Sequence, residues 1–415
     1  MIPLAVRDTI AVMSGPNRHT VWLLGAGFSR AFGGPLLDDL FRPRHWLDDD
    51  LVFPAKLYPA LSGDLYLSRL FCETGKAEGR WRDAEEFLAF VDAAHRNDAG
   101  LGKDIMRLMF DRMSSSGSIS PAKTGMKGFD YSHARFLTSA VPVRRALAAE
   151  CAAFLRDLDG KEEIWHPYRK WASSLDPQWD TVISFNYDRV LEELAADHKS
   201  KLKILLPCEC PKVPDDQTKP PLDVVPVLKL HGSVDWKKND SEEIVQGDWK
   251  AILADENASP FIAAPGRSKQ DAVEEQLVPL WEQAKRALKE AQALVVLGYG
   301  FPTTDTKART EIQTAFAAQP IVLDTTRRID VVLGPDTNRP EARRVESLLE
   351  TFAPNRSLVI SPGKVGANCH ALSISSPISF GPKISSSTTG SACRSPFERA
   401  MALAGMFLLA PRNSE

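Results

Sequence analysis

Val21-Trp22-Leu23-Leu24-Gly25-Ala26-Gly27-Phe28-Ser29-Arg30 is the stretch that decides the fold. A short apolar run, without polar alternation, passes straight into a glycine turn, and Gly33, Gly34 and Pro35 follow closely. A strand that is apolar on both faces reads as a parallel strand covered on both faces. Glycines directly after it permit a tight turn whose backbone can approach a pyrophosphate, with the next helix aiming free N–H groups at the anion. The same turn also occurs as plain structure in many α/β proteins.

Four further runs have the same character: Val182–Phe185, Val225–Leu230, Leu294–Leu297 and Ile321–Leu323. The second of these is the least clean, because Pro226 and Lys229 interrupt it. Helical patterns separate several of the runs. Leu277, Leu280, Trp281, Ala284, Leu288 and Ala291 recur mostly at a spacing of three to four, and Val190, Leu191 and Leu194 begin another such face. The alternation predicts an α/β fold, a Rossmann-like parallel sheet with helices on both faces. The gap between the first two runs is too long for one crossover. Residues 36–175 carry helical patterns such as Glu85–Ala94 and Val143–Leu158, and read as a large helical insertion. Ser114–Lys127 and the five-proline stretch Pro207–Pro221 read as loops. Residues 364–415 open with a stretch rich in Ser, Gly, Pro and Thr, expected to be a flexible tail, with a short apolar helix at Phe397–Leu409.

Composition narrows the function classes. The chain has 415 residues, 25% of them charged, and a formal net charge of −3, so no global basic field attracts nucleic acid. No apolar run approaches the ~20 residues needed to span a bilayer, and the N-terminal stretch lacks the pattern of a secretory signal. Six scattered cysteines, only Cys208 and Cys210 lying close together, suit a reducing cytoplasm.

Each apolar run ends in residues suited to chemistry. Ser184-Phe185-Asn186-Tyr187-Asp188 closes the second, where an amide and a carboxylate would face a ligand crevice or cap a helix. Leu228-Lys229-Leu230-His231-Gly232-Ser233-Val234-Asp235-Trp236 closes the third and sets a histidine on the same sheet edge, placed as a general base or a partner for a sugar hydroxyl. Leu297-Gly298-Tyr299-Gly300-Phe301-Pro302-Thr303-Thr304-Asp305 closes the fourth, and Asp324-Thr325 the fifth, where a ribose contact and a capping role are both open.

In this order, the motifs resemble the sirtuin-like domains of bacterial defence proteins. The resemblance covers about residues 18–330, with little contribution from the helical insertion, and it lies in the combination rather than in any single piece. It implies a catalytic domain, formed by residues 1–35 and 176–363, that takes NAD as a substrate with no metal. Gly25, Ala26, Gly27 and Ser29, with Phe28 in the same turn, would hold the NAD phosphates. Asn186 would position water or the nicotinamide ribose, Asp188 would support that ribose and its loop, and His231 would be the catalytic histidine. Gly298, Tyr299 and Asp324 would line the adenosine side. Two departures separate the chain from protein-deacylating sirtuins. The paired Cys-x-x-Cys zinc ligands are absent, and Pro35 leads into Leu36, Leu37 and Asp38 instead of Pro-Asp-Phe-Arg. Both favour the NAD hydrolases of defence systems. The resemblance further implies gating by homo-oligomerisation or by a partner, such as a HerA-type ATPase or a short Argonaute. The helical insertion would be the contact surface, or simply extra core. The rival expectations are an NAD-dependent protein deacylase, an NAD- or ADP-ribose-sensing assembly module and, last, a nuclease, for which the chain lacks the clustered carboxylates of a two-metal site.

Overall fold

The structure is a computed structural model and describes residues 19–42, 53, 57–96, 101–115, 135–158, 162–210, 223–263, 272–302, 305–317, 328–332, 344–345, 347–348 and 357–360. Seven of its strands form one sheet: β1 (Thr20–Leu24), β2 (Asp180–Ser184), β3 (Leu202–Ile204), β4 (Val225–Lys229), β7 (Ala293–Leu297), β8 (Arg328–Val332) and β9 (Ser357–Ile360). Their order is β3-β4-β2-β1-β7-β8-β9, and every neighbouring pair is parallel. The fold is Rossmann-like α/β. Four expected strands stand where the apolar runs predicted, within two residues at each end. Ile321–Leu323, Asp324, most of the Ser114–Lys127 and Pro207–Pro221 loops, and the 364–415 tail lie outside the described residues.

The alternation of side chains along each strand explains the two covered faces. Val21, Leu23, Ile183, Leu228, Leu294, Val296, Ile329 and Val331 share a core with the apolar faces of α8 (Ala272–Glu290) and α9 (Thr306–Ala317). Trp22, Leu24, Val182, Val227, Val295, Leu297 and Val332 face the other way, onto α5 (Glu162–Ser173) and α6 (Val190–Ala195). Helix α5 therefore belongs to the sheet as its cover: Trp171 meets Trp22 edge-on, and the Tyr168 hydroxyl donates to the Phe28 carbonyl at 2.6 Å. Among the described residues, the other α-helices before β2 are α1 (Pro59–Ala77), α2 (Ala84–Arg96), α3 (Leu101–Ser115) and α4 (Val141–Ala152). They build a third core, which Val234, Trp249, Leu253 and Ile262 join from beyond β4. Between Val234 and Ile262 lie an antiparallel hairpin, β5 (Trp236–Lys238) with β6 (Ile244–Gln246), and the short α7 (Trp249–Ala254).

Two irregularities have local explanations. Pro226 is tolerated in an interior strand because β4 pairs with β2 only from Val227 onward, so its missing N–H costs no bond on that side. Strand β3 escapes sequence reading because it is three residues long and alternates with lysines.

Candidate active site at the carboxyl edge of the sheet

The sheet's strand order creates a crevice. The chain leaves β1 toward β2 on one side, while β7, on the other side of β1, leads away to β8 and β9. Ligands of open α/β sheets bind at such a switch point, beyond the carboxyl ends of the two strands. Leu24 is in register with both Ser184 and Leu297, and Ser184 with Lys229. The turns after β1, β2, β4 and β7 thus emerge at one level, and Asn186 and His231 each stand two residues past the paired Ser184 and Lys229.

The glycine turns after β1 and β7 pack backbone to backbone. A Cβ on Gly27 would lie 2.6 Å from the Gly298 Cα, and one on Gly298 would lie 2.4 Å from the Gly27 carbonyl carbon. Gly298 also has φ +65°, a left-handed conformation that favours glycine. The Gly27 N–H donates to the Gly298 carbonyl (2.9 Å), the Gly25 N–H to the Leu297 carbonyl (3.0 Å) and the Phe28 N–H to the Gly25 carbonyl (2.8 Å). Three of the amides expected to cradle phosphate are therefore engaged within the protein. The element that follows is a seven-residue 3-10 helix, Ala26–Phe32. Phe28 and Ser29 are buried, and Ala26 and Arg30 are the exposed residues of this turn.

The β2 turn is wired to the β1 turn. The Asn186 side-chain amide donates to the Gly25 carbonyl (2.9 Å) and to Ser29 Oγ (3.2 Å), which leaves its Oδ1 as the atom able to meet a ligand. Ser29 Oγ donates to Asp188 Oδ2 at 2.6 Å, and the other Asp188 oxygen accepts the Val190 N–H at 3.0 Å. Asp188 thus pins the β1 turn and holds the first amide of α6 at once. Burial raises its pKa, opposed by Lys229 and by the Ser29 hydrogen bond.

His231 is buried, 5% exposed, with Phe185 edge-on to its ring at 4.9 Å and Tyr187 stacked at 6.1 Å. Its Nε2 lies 3.5 Å from Asp305 Oδ2, and that oxygen accepts the Tyr299 hydroxyl at 2.7 Å. Asp305 is the carboxylate placed to orient the imidazole. Tyr299, expected on the adenosine side, stacks on Phe185 at 4.4 Å and belongs to the surroundings of His231. Its phenol is held well above its ordinary pKa by burial and by Asp305. Gly232 closes the turn at φ +77°, where a Cβ would strike the Phe261 carbonyl oxygen at 2.1 Å.

Beneath these turns lies a buried charged group that was not anticipated as part of the site. Lys229 and Glu192 pair at 2.6 Å, and Lys229 also donates to Ser233 Oγ in the turn after β4. The lysine that mars an apolar run is the sequence signal for it: a cation in a covered strand needs buried oxygens nearby. Asp305 gave no such signal, since a capping acid at the end of a turn has the same appearance. Among the described residues no three His, Cys, Asp or Glu side chains are grouped as metal ligands, and no helix is long and apolar enough to cross a membrane. No model of a known protein family matches the chain, and no curated protein matches it.

Proposed function

We propose that the chain is an NAD glycohydrolase, converting NAD and water to nicotinamide and ADP-ribose with release of a proton. The observation that carries this reading is the pairing of Asn186 and His231 on neighbouring strand ends, beside the two glycine turns at the switch point. The bond to be broken joins a ribose carbon to a cationic pyridinium, already a good leaving group. Catalysis then requires a fixed pose, a desolvated site and a placed nucleophile. In this reading Asn186 Oδ1 orients water, and His231, aligned by Asp305, accepts a proton from that water or from a ribose hydroxyl. Cytoplasmic NAD depletion in antiphage defence is the physiological setting, with gating by self-association or by a HerA-type ATPase or short Argonaute partner. Nicotinamide release from NAD by purified protein, without any acylated peptide, tests the chemistry. His231→Ala and Asn186→Ala should each lose roughly 10²–10⁴-fold in rate. Near wild-type turnover in both folded variants would defeat the assignment, and release only with an acetyl-peptide would point to a deacylase. A strict monomer on gel filtration that is fully active alone would remove the gating.

One observation favours a second reading, a module that binds NAD or ADP-ribose without cleaving it. Both Asp188 oxygens and the Asn186 side-chain nitrogen are engaged in holding the turns together. Calorimetric binding of NAD with no nicotinamide release by the protein and its partners would select that reading.

A further inference from the structure

We propose that Lys229 is a positioning residue that fixes the Asn186 turn relative to the His231 turn, an inference that rests on reading those turns as the reacting site. The Lys229 side chain ends in an ammonium with three N–H groups and is fully buried. Each N–H meets an oxygen: the Asp188 carbonyl at 2.6 Å, Glu192 Oε1 at 2.6 Å and Ser233 Oγ at 2.7 Å. These acceptors belong to the turn after β2, to helix α6 and to the turn after β4. Ser233 Oγ in turn donates to Glu192 Oε1 (3.1 Å), with the Tyr187 carbonyl at 3.3 Å as its alternative acceptor. The connection continues upward, because the Asp188 carboxylate holds Ser29, which Asn186 also reaches. One cation therefore ties together the β2 and β4 turns and, through Asp188, the β1 turn.

A stability role alone would not require this arrangement. A buried ion pair replaced by apolar side chains of similar volume is often as stable or more so. What an aliphatic replacement cannot supply is a fixed distance between two loops, and a misplacement of about 1 Å at a reacting group can cost ~10²-fold in rate.

The double variant Lys229→Met/Glu192→Leu removes both charges together, so neither is left buried alone. It should fold, with nicotinamide release falling 10- to 100-fold in kcat and KM for NAD changing less than threefold. A folded double variant with kcat within threefold of wild type would overturn the proposal. A second readout does not depend on NAD cleavage: the 15N-labelled imidazole signal of His231, identified by its loss in His231→Ala. It should shift or broaden in the double variant, and an unchanged signal would overturn the positioning role even if the wild type releases no nicotinamide. Should the double variant not fold, Ser233→Ala keeps both charges and removes one of the three oxygens. A three- to tenfold fall in kcat with a shifted His231 signal is expected there, and no change in either measure defeats the proposal.

Discussion

Two buried cation–carboxylate pairs lie in different parts of this molecule and are built on different terms. At the carboxyl edge of the sheet, each Lys229 N–H meets an oxygen, and Glu192 Oε1 takes both Lys229 and Ser233, while Glu192 Oε2 has no hydrogen-bond partner among the described residues. In the helical layer, Arg145 of α4 and Asp64 of α1 face each other at 3.4 Å with no exposure on either side. The Arg145 guanidinium donates instead to the Leu253 carbonyl (2.5 Å), with the Glu256 carbonyl at 3.5 Å, covering the carbonyls at the end of α7. Among the described residues neither Asp64 oxygen has a hydrogen-bond partner, and burial lifts its pKa to about 6 against the pull of Arg145. The lesson is that burial and opposite charge do not by themselves make an organised pair. The number of oxygens and N–H groups that find partners does.

The largest test of this contrast is Lys229→Met. It leaves the Glu192 carboxylate buried without its cation and should cost about 3–5 kcal/mol in urea unfolding at pH 8. Glu192 already has its pKa raised by burial to about 7, so the same variant should lose less at pH 5.5, where the acid takes a proton. Equal losses at both pH values would show that the charge is not what the lysine answers. Gly298→Ala comes next. It presses a Cβ into the Gly27 backbone at a left-handed φ, and about 1–3 kcal/mol of destabilisation is expected. An unchanged melting temperature would mean that the two glycine turns can separate freely. Asp64→Asn should have the smallest effect, within about 1 kcal/mol at pH 7, since it removes a carboxylate with no hydrogen bonds to lose and the Arg145 charge keeps the Leu253 and Glu256 carbonyls. Its signature is in the pH dependence. Asp64 and Glu192 both have folded-state pKa values above their unfolded ones, 3.8 to about 6 and 4.5 to about 7, so folding takes up protons. The stability they contribute is complete below pH ~4 and is lost as pH rises toward 7. Asp64→Asn should flatten that decline between about pH 4 and 6, and an unaltered slope would contradict the raised Asp64 pKa.

Much of the fold was legible from the chain because it rests on local pattern. A strand covered on both faces has to be apolar throughout, and a glycine has to follow it where two backbones touch, so Val21–Leu24 and Leu294–Leu297 announce themselves. Asn186 and His231 were legible as polar residues at the ends of such strands. The amphipathic face of helix α5 says that the helix is covered but not by what, so its place on the sheet is not legible in the chain. Asp188 shows the limit at the site: the sequence places a carboxylate in the turn, but both its oxygens are used within the protein.

The sequence by itself determined the kinds of element and the chemical groups at their ends, because hydrophobic period and turn chemistry are properties of neighbouring residues. Only the tertiary structure decided that Gly27 meets Gly298, that Asp305 reaches His231, and that Lys229 ties the turns after β2 and β4 together. Each of these contacts depends on the strand order β4-β2-β1-β7 and its register. Strand order follows from how the whole set of faces is buried at once, and no local stretch of sequence carries that information.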